Sequence, residues 1–583
     1  MPGPVASEIE QALRQAVSPE RLQQHLRVFA ELQRQSGSDD ERQAARYVVD
    51  TMRGYGIDAE ILEFDSLISW PLASTLMVFD GSGESWKILV RTRSFGAQTP
   101  SGGIEAELVF VPFAVPRRGE MIFAHRAAEG DYGGLDVAGK VVLTADGGPD
   151  GVRRAQERGA AGHVHVWPSD EAVIHEMIAS SVWGTPTPES ARELPHISVL
   201  GIGHADGERL ARRLEEGPLR ARIEANVETA WRRLPLAVAN IPGAGSPDFL
   251  LIGAHIDSWY EGVTDNATGD AALLEMARVL AENASHLRCG VRFAWWPGHS
   301  TGRYSGSTWY ADTHFRALRD HALGYLNIDS PGVRGAEVWD CRYNTGEVEH
   351  IAPAVVRELS GQEPGIGRPV RAADQSFLGI GLPSLGAFRM LPEDHPNRKI
   401  VGGSAGAYWW HSPEDTLDKA DAGVLAGDVE VYLTIVARLC APEIVPYNFV
   451  PAGQDFIDEL QSLQDAVGDR LDLESPLQSA RSFRDAAERL EVAPTEDVAV
   501  LNDDLKRLTR ILNPPLYTIT GPYDMDSALQ QPLLPGLAPA RTLRTLDQAS
   551  DDHHFLLTEL RRQRNRLEEA LREATEVADQ FSQ

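Results

Sequence analysis

The sequence predicts an α/β protein in three pieces: a doubly wound sheet domain, a β-rich insertion and a C-terminal helical domain. Three observations carry this. From about residue 236, short apolar runs alternate with helical periods, the pattern of βαβ units in a sheet covered on both faces. Between residues 71 and 235, short apolar runs alternate with Gly- and Pro-rich turns. After residue 448 the strand signal stops and long, charged, amphipathic segments take over. The sheet domain is therefore placed at 1–70 and 236–447, the insertion at 71–235 and the helical domain at 448–583.

Taken in order, residues 6–70 read as two helices followed by a strand. In "SGSDDERQAARYVVDTMRGYGI", Ser38 is an N-cap, acids fill the first turn, and Gly54 and Gly56 stop the helix. Ala44, Ala45, Val48, Val49 and Met52 share one face. "DAEILEF" alternates as a strand. In the insertion, "STLMVF", "ELVFVPFAV", "KVVLTA" and "GHVHVW" are strand candidates. Further on, "FLLIGAHIDSW", "GVRFAWW" and "ALGYLNIDS" read as strands and "GDAALLEMARVLAEN" as a helix. "AVLNDDLKRLTRILN" and "ELRRQRNRLEEALREATEVADQF" read as helices of the last domain.

Composition limits the function. With 583 residues the chain is too long for one core, and 42% hydrophobic against 24% charged residues is a globular balance. A net charge of −30 argues against nucleic acid, whose phosphates need a basic surface. The three cysteines, Cys289, Cys341 and Cys440, are dispersed and imply neither a disulfide framework nor a thiolate metal site. The first residues carry acids and no apolar signal region, and no apolar run is long enough to span a membrane, so a cytoplasmic location is expected.

Four segments hold candidate metal ligands. "GAHIDSW" offers His255 and Asp257, "EGVTDNATGD" Asp265, "YLNIDSPG" Asp329 and "AGAYWWHSPEDTLDK" His411. Imidazole and carboxylate suit zinc, and also manganese or iron, and a carboxylate can bridge two ions. His255, His299 and Asp329 each follow the apolar part of a strand. In doubly wound sheets that is where chemistry collects.

Read in this order, "GAHIDSW…TDNATGDAALLEMAR", "NIDS", "ADQSFLGIGLPSL" and "YWWHSPEDTLDK" resemble the family-28 metallopeptidases, which include glutamate carboxypeptidase II and the transferrin receptor. The resemblance implies a protease-associated-like insertion at 71–235 and a helical, dimerising segment at 448–583, hence a homodimer. It implies that His255, Asp265 and Asp329 hold one zinc, that Asp265 and His411 hold a second, and that Asp257 orients His255.

The departure lies in "WWPGHSTGRYSGSTWYAD". The family carries two adjacent glutamates there, a general base and a ligand of the second zinc. Here His299 and Ser300 take their places, with one extra residue between the glycines that follow. In one reading His299 replaces the lost ligand beside His411 and Asp265, or acts as the base. In a second reading there is a single metal and non-peptidase chemistry is open. In a third the protein is a non-catalytic receptor relative. The favoured expectation is a metal-dependent hydrolase of peptide or small amide bonds, of amino- or carboxypeptidase type, with one or two zinc ions. Arg303 and Tyr304 are candidates for binding a substrate carboxylate. Trp410 is expected to wall the pocket, and Tyr408 to donate to the developing oxyanion. Asp374 and Gln375 are placed at the pocket edge, and Asp415 and Asp418 as caps of the helix after His411.

Overall fold

The computed structural model describes residues 4–112, 132–491 and 497–580. Three adjacent parallel strands lie toward one end of a long sheet. Phe249–His255 lies between Gly290–Trp296 and Ala322–Asn327, and the short Ser384–Leu385 extends that second edge. Leu219–Ile241 then adds antiparallel to Gly290–Trp296. Both faces are buried, and the side chains alternate between them. Leu250, Ile252 and Ala254 join the large core, while Phe249 and Leu251 join a second core with Trp296 and Tyr325. That is why these strands read as continuous apolar runs rather than alternating ones. The chain leaves the central strand toward one neighbour and returns to the other. The C-terminal ends of three adjacent strands therefore open at a topological switch point.

The N-terminal segment holds three helices, not two: Pro4–Gln15, Pro19–Phe29 and Asp39–Gly54. Pro19 has no N–H to continue a preceding helix, and the Ser18 side chain caps the new one at Arg21 N. Ser38 caps Asp39–Gly54 through Glu41 N, and Ala44, Ala45, Val48, Val49 and Met52 are all buried.

Asp58–Phe79 and Leu219–Ile241 form one antiparallel ribbon, in register from Asp58↔Asn240 to Phe79↔Arg220 with a bulge between Pro71 and Ser74. The ribbon runs on through positions 71 and 235, with its register shift just after Pro71. It carries the sheet into a second, smaller core of Val141, Leu143, Val164, Leu200 and Ile223. Ile104–Phe110, Val141–Thr144, Gly162–Val166 and Ser198–Ile202 run parallel there. The end of "ELVFVPFAV", residues 113–115, lies outside the described residues.

Four long helices, Val450–Val467, Glu474–Glu491, Val498–Tyr517 and Asp551–Asp579, close the chain. Leu460, Leu508 and Leu567 belong to the same apolar core as Leu250 and Ile252. Among the described residues no helix is long and apolar enough to cross a membrane.

Candidate metal centre

His255 ends the central strand, Gly298–Ser300 follows its neighbour, and Asp329 follows the strand on the other side. Gly298 makes the turn out of Trp296 at φ 70°, where a Cβ would also strike the Ser305 hydroxyl. Asp265 lies between Gly262 and the helix Thr268–Glu282.

Each of the three site imidazoles has its Nδ1 tied to an oxygen. His255 Nδ1 lies 2.8 Å from the backbone carbonyl of Asp257. His411 Nδ1 lies 2.8 Å from the carbonyl of Glu176, and His299 Nδ1 lies 2.6 Å from the Asp374 carboxylate. A carbonyl only accepts, so His255 and His411 carry their proton on Nδ1 and turn Nε2 toward the centre. There His255 Nε2 is 3.2 Å from Asp265 Oδ1 and 3.7 Å from Asp329 Oδ1. His411 Nε2 is 3.0 Å from Asp265 Oδ2. Imidazole lone pairs thus face carboxylate lone pairs, an arrangement that repels unless a proton or a metal ion lies between.

His299 stands with His255 and Asp329, not beside His411. Ligand atoms of these three residues lie within 4.8 Å of one another. The His299 ring stacks on His255 with centroids 3.8 Å apart, and the Asp374 carboxylate holds it there. Asp374 is in turn fixed by the Ser307 hydroxyl at 2.7 Å. Ser300, at the position of the family's second glutamate, keeps a buried hydroxyl with no hydrogen-bond partner.

Asp257 acts on His255 through its backbone carbonyl. Its carboxylate is 3.9 Å from Nδ1 and instead accepts from His299 N at 3.0 Å, Ser300 N at 2.8 Å and the Ser36 hydroxyl at 2.7 Å. It therefore sets the loop that carries His299. Asp415 does not cap the following helix, a part taken by Asp421. Asp415 is buried and accepts from the backbone N–H of Thr264 at 2.9 Å and of Asp265 at 3.0 Å. Asp418 is solvent-facing and pairs with Lys419 and Thr416. Tyr408 also departs from expectation. Its hydroxyl donates to Glu414 at 2.8 Å in an exposed position, off the cavity wall.

Electrostatics follow the geometry. Burial works to lower the His255 pKa, but Asp265 and Asp329 outweigh it and hold it well above the usual value. Burial works to raise Asp265, and the two imidazoles outweigh it and hold it well below. His411 is lowered, because burial there prevails over Asp265.

The centre opens into a cavity. Asp265, Asp329, His299, His411, Arg303, Tyr304 and Trp410 all line it. Trp410 stacks on His411 at 3.6 Å. Met177 and Ile178 reach the same wall, and Glu176 N donates back to the His411 carbonyl at 3.0 Å. Sequence reasoning did not reach the Glu176 carbonyl or the Asp374–His299 pair. A backbone acceptor has no side-chain signature, and the second pair is 75 residues apart in sequence.

A sheet covered on both faces, with imidazoles and carboxylates converging where its parallel strands end, is the architecture of a metallohydrolase. The particular family whose model matches is peptidase family M28, over residues 237–435, and the chain is similar to the metallopeptidases of that family. It is 26% identical to the probable lipoprotein aminopeptidase LpqL of Mycobacterium tuberculosis, over 73% of this chain and 85% of that protein. With leucine aminopeptidase 2 of Arthroderma otae it shares 24% identity, over 44% of this chain and 54% of the relative. Among solved structures, the aminopeptidase from Aneurinibacillus sp. strain AM-1 superposes with a TM-score of 0.56 at 22% identity, covering 74% of this chain and 96% of that one. A zinc aminopeptidase from Bacillus subtilis gives 0.54 at 19% identity, covering 72% and 95%. A metal cofactor, zinc, accords with this family.

Proposed function

We propose that this protein is a metal-dependent exopeptidase, of the aminopeptidase type, acting on peptides or small amides through a centre rebuilt around His299. The observation that carries the proposal is the set of fixed imidazoles whose free nitrogens meet the Asp265 and Asp329 oxygens at 3.0 to 3.7 Å. Those residues fit zinc: two or three neutral imidazoles with two carboxylates form a known type of donor set. His255, His299, Asp329 and Asp265 Oδ1 would hold one tightly bound ion per chain. The second position keeps only Asp265 Oδ2 and His411, because Ser300 replaces a carboxylate with a hydroxyl. A bound zinc supplies a Lewis acid for the scissile carbonyl and activation of a water molecule.

The chain's own residues do the rest. Asp374 and the Asp257 carbonyl fix the rings. Asp415 fixes the backbone that carries Asp265. His411 is left to take the proton of the attacking water and pass it to the leaving amine, the task of the absent glutamate. Trp410 stacks on His411 and keeps water from its outer face. The resemblance further supports reading residues 71–235 as a protease-associated-like insertion and residues 448–583 as the surface of a homodimer.

The test is hydrolysis of leucine p-nitroanilide and Leu-Gly by the full chain: as purified, after chelator dialysis, and after zinc is returned. Activity that disappears and returns with zinc is expected. A zinc-loaded protein that cleaves neither these nor a longer peptide would mean that the fold has kept its ligands without the reaction.

A further inference from the structure

The cavity also carries information about what enters it, and this inference rests on the peptidase reading above. Residues 303 and 304 take up the extra length between the glycines by both adopting left-handed backbone, at φ 51° and 69°. Two non-glycine residues in that region cost energy, and such strain persists where the surroundings impose it. Here they do. The Arg303 carbonyl accepts from Gly184 N of the inserted segment at 2.6 Å, and Tyr304 packs on Trp183 with ring centroids 4.3 Å apart.

The result is an arginine that lines the cavity at 7% exposure with no counter-ion. Its Nε is buried without a hydrogen-bond partner, and among the described residues no carboxylate or carbonyl pairs with its guanidinium. The other charged groups on the wall are engaged. Arg389 pairs with Asp428 at 2.7 Å, and the acids that line the cavity, Asp265 and Asp329, belong to the metal centre. Among the described lining residues, then, the carboxylates that could meet a substrate's amine are those of the metal centre, while one desolvated guanidinium is left to receive an anion. A buried charge without a partner is costly, and a guanidinium fork matches a planar, two-oxygen anion.

We propose that Arg303 is the substrate anchor, and that the preferred substrates are short peptides presenting a carboxylate to it. That carboxylate is either the terminal one of a dipeptide or that of an acidic side chain.

The test uses the full, zinc-loaded chain and three substrates: Leu-Gly, Leu-Gly-amide and Leu-Glu-amide. The expected kcat/KM for Leu-Gly exceeds that for its amide by about 100-fold, the scale of a desolvated charge-assisted pair. A high value for Leu-Glu-amide as well would assign the pocket to a side-chain carboxylate. In Arg303→Met the acid-to-amide ratio should fall toward one, chiefly through KM, and Arg303→Lys should recover part of it. Cleavage of all three at similar rates would overturn the anchor and leave the peptidase reading standing. Cleavage of none would overturn the peptidase reading instead. In that event, calorimetric titration of Leu-Gly and its amide into wild type and both variants decides the anchor. Carboxylate-dependent binding lost in Arg303→Met supports it, and equal binding to all three proteins refutes it.

Discussion

The His299 ring is set by one carboxylate, and that contact carries a prediction. Asp374 accepts from Nδ1 at 2.6 Å and so keeps the other nitrogen free for a metal. Removing such an outer partner commonly costs 10- to 100-fold in metal affinity. Asp374→Asn should therefore weaken zinc binding by about that factor without emptying the site, measured by competition with a chromophoric chelator. A second residue beneath the centre behaves differently. Both Asp270 carboxylate oxygens are buried without partners, and burial pushes the pKa from the ordinary 3.8 up to about 8. The folded state thus holds a proton that the unfolded state releases above pH 4. Stability from this group is complete below pH 4, falls as pH rises, and is gone above about 8. Asp270→Asn has no proton to lose, so its advantage over wild type should grow between pH 5 and pH 8.5. Urea unfolding of the metal-depleted proteins at the two pH values measures this, and an advantage independent of pH would contradict the assignment.

Arg34 shows how an element far away in sequence builds the site. It lies before the helix Asp39–Gly54, in a stretch that reads as a plain connection. Its guanidinium donates to the carbonyls of Ile256 at 2.9 Å, Glu261 at 2.9 Å and Gly262 at 3.1 Å, which tie down the loop between His255 and Asp265. Arg34→Met leaves those acceptors buried and unmet, at a cost of about 3 kcal/mol or more. The midpoint of thermal unfolding should fall and zinc affinity with it. Sequence alone shows the helix beside Arg34 because a serine cap and a five-residue apolar face are local signals. It shows the central strands because they are buried on both faces. It does not show that Asp58–Phe79 and Leu219–Ile241 run on as one ribbon through positions 71 and 235, with a bulge between Pro71 and Ser74. Nor does it show Tyr408 turning outward, because the aromatic run before His411 gives no sign of which ring meets the cavity. His255, Asp265, Asp329 and His411 are legible as a set only through their order along the chain.

At the scale of the whole molecule, the last four helices are part of the fold that holds the centre. Lys506 pairs with Asp248, just before the central strand, at 2.6 Å with both side chains buried. Arg510 donates to the carbonyls of Arg319 at 3.0 Å and Gly381 at 3.1 Å. A chain ending at residue 447 would leave Asp248 buried without its cation and strip one side of the main core. It should aggregate or show no cooperative unfolding, while the full chain unfolds cooperatively. The proposed homodimer is checked by sedimentation, where a mass near twice 63.8 kDa is expected.

We propose that His299 belongs to the metal centre and that one tight site remains, the second having lost its glutamate ligand. Elemental analysis of zinc per chain, on wild type and His299→Ala purified identically and dialysed at equal free zinc, tests it most directly. About one tightly held ion in wild type, with affinity reduced at least about 100-fold in the variant, is the predicted result. Two ions of similar affinity in both proteins would show that His299 holds no metal and that the second site survives without its glutamate.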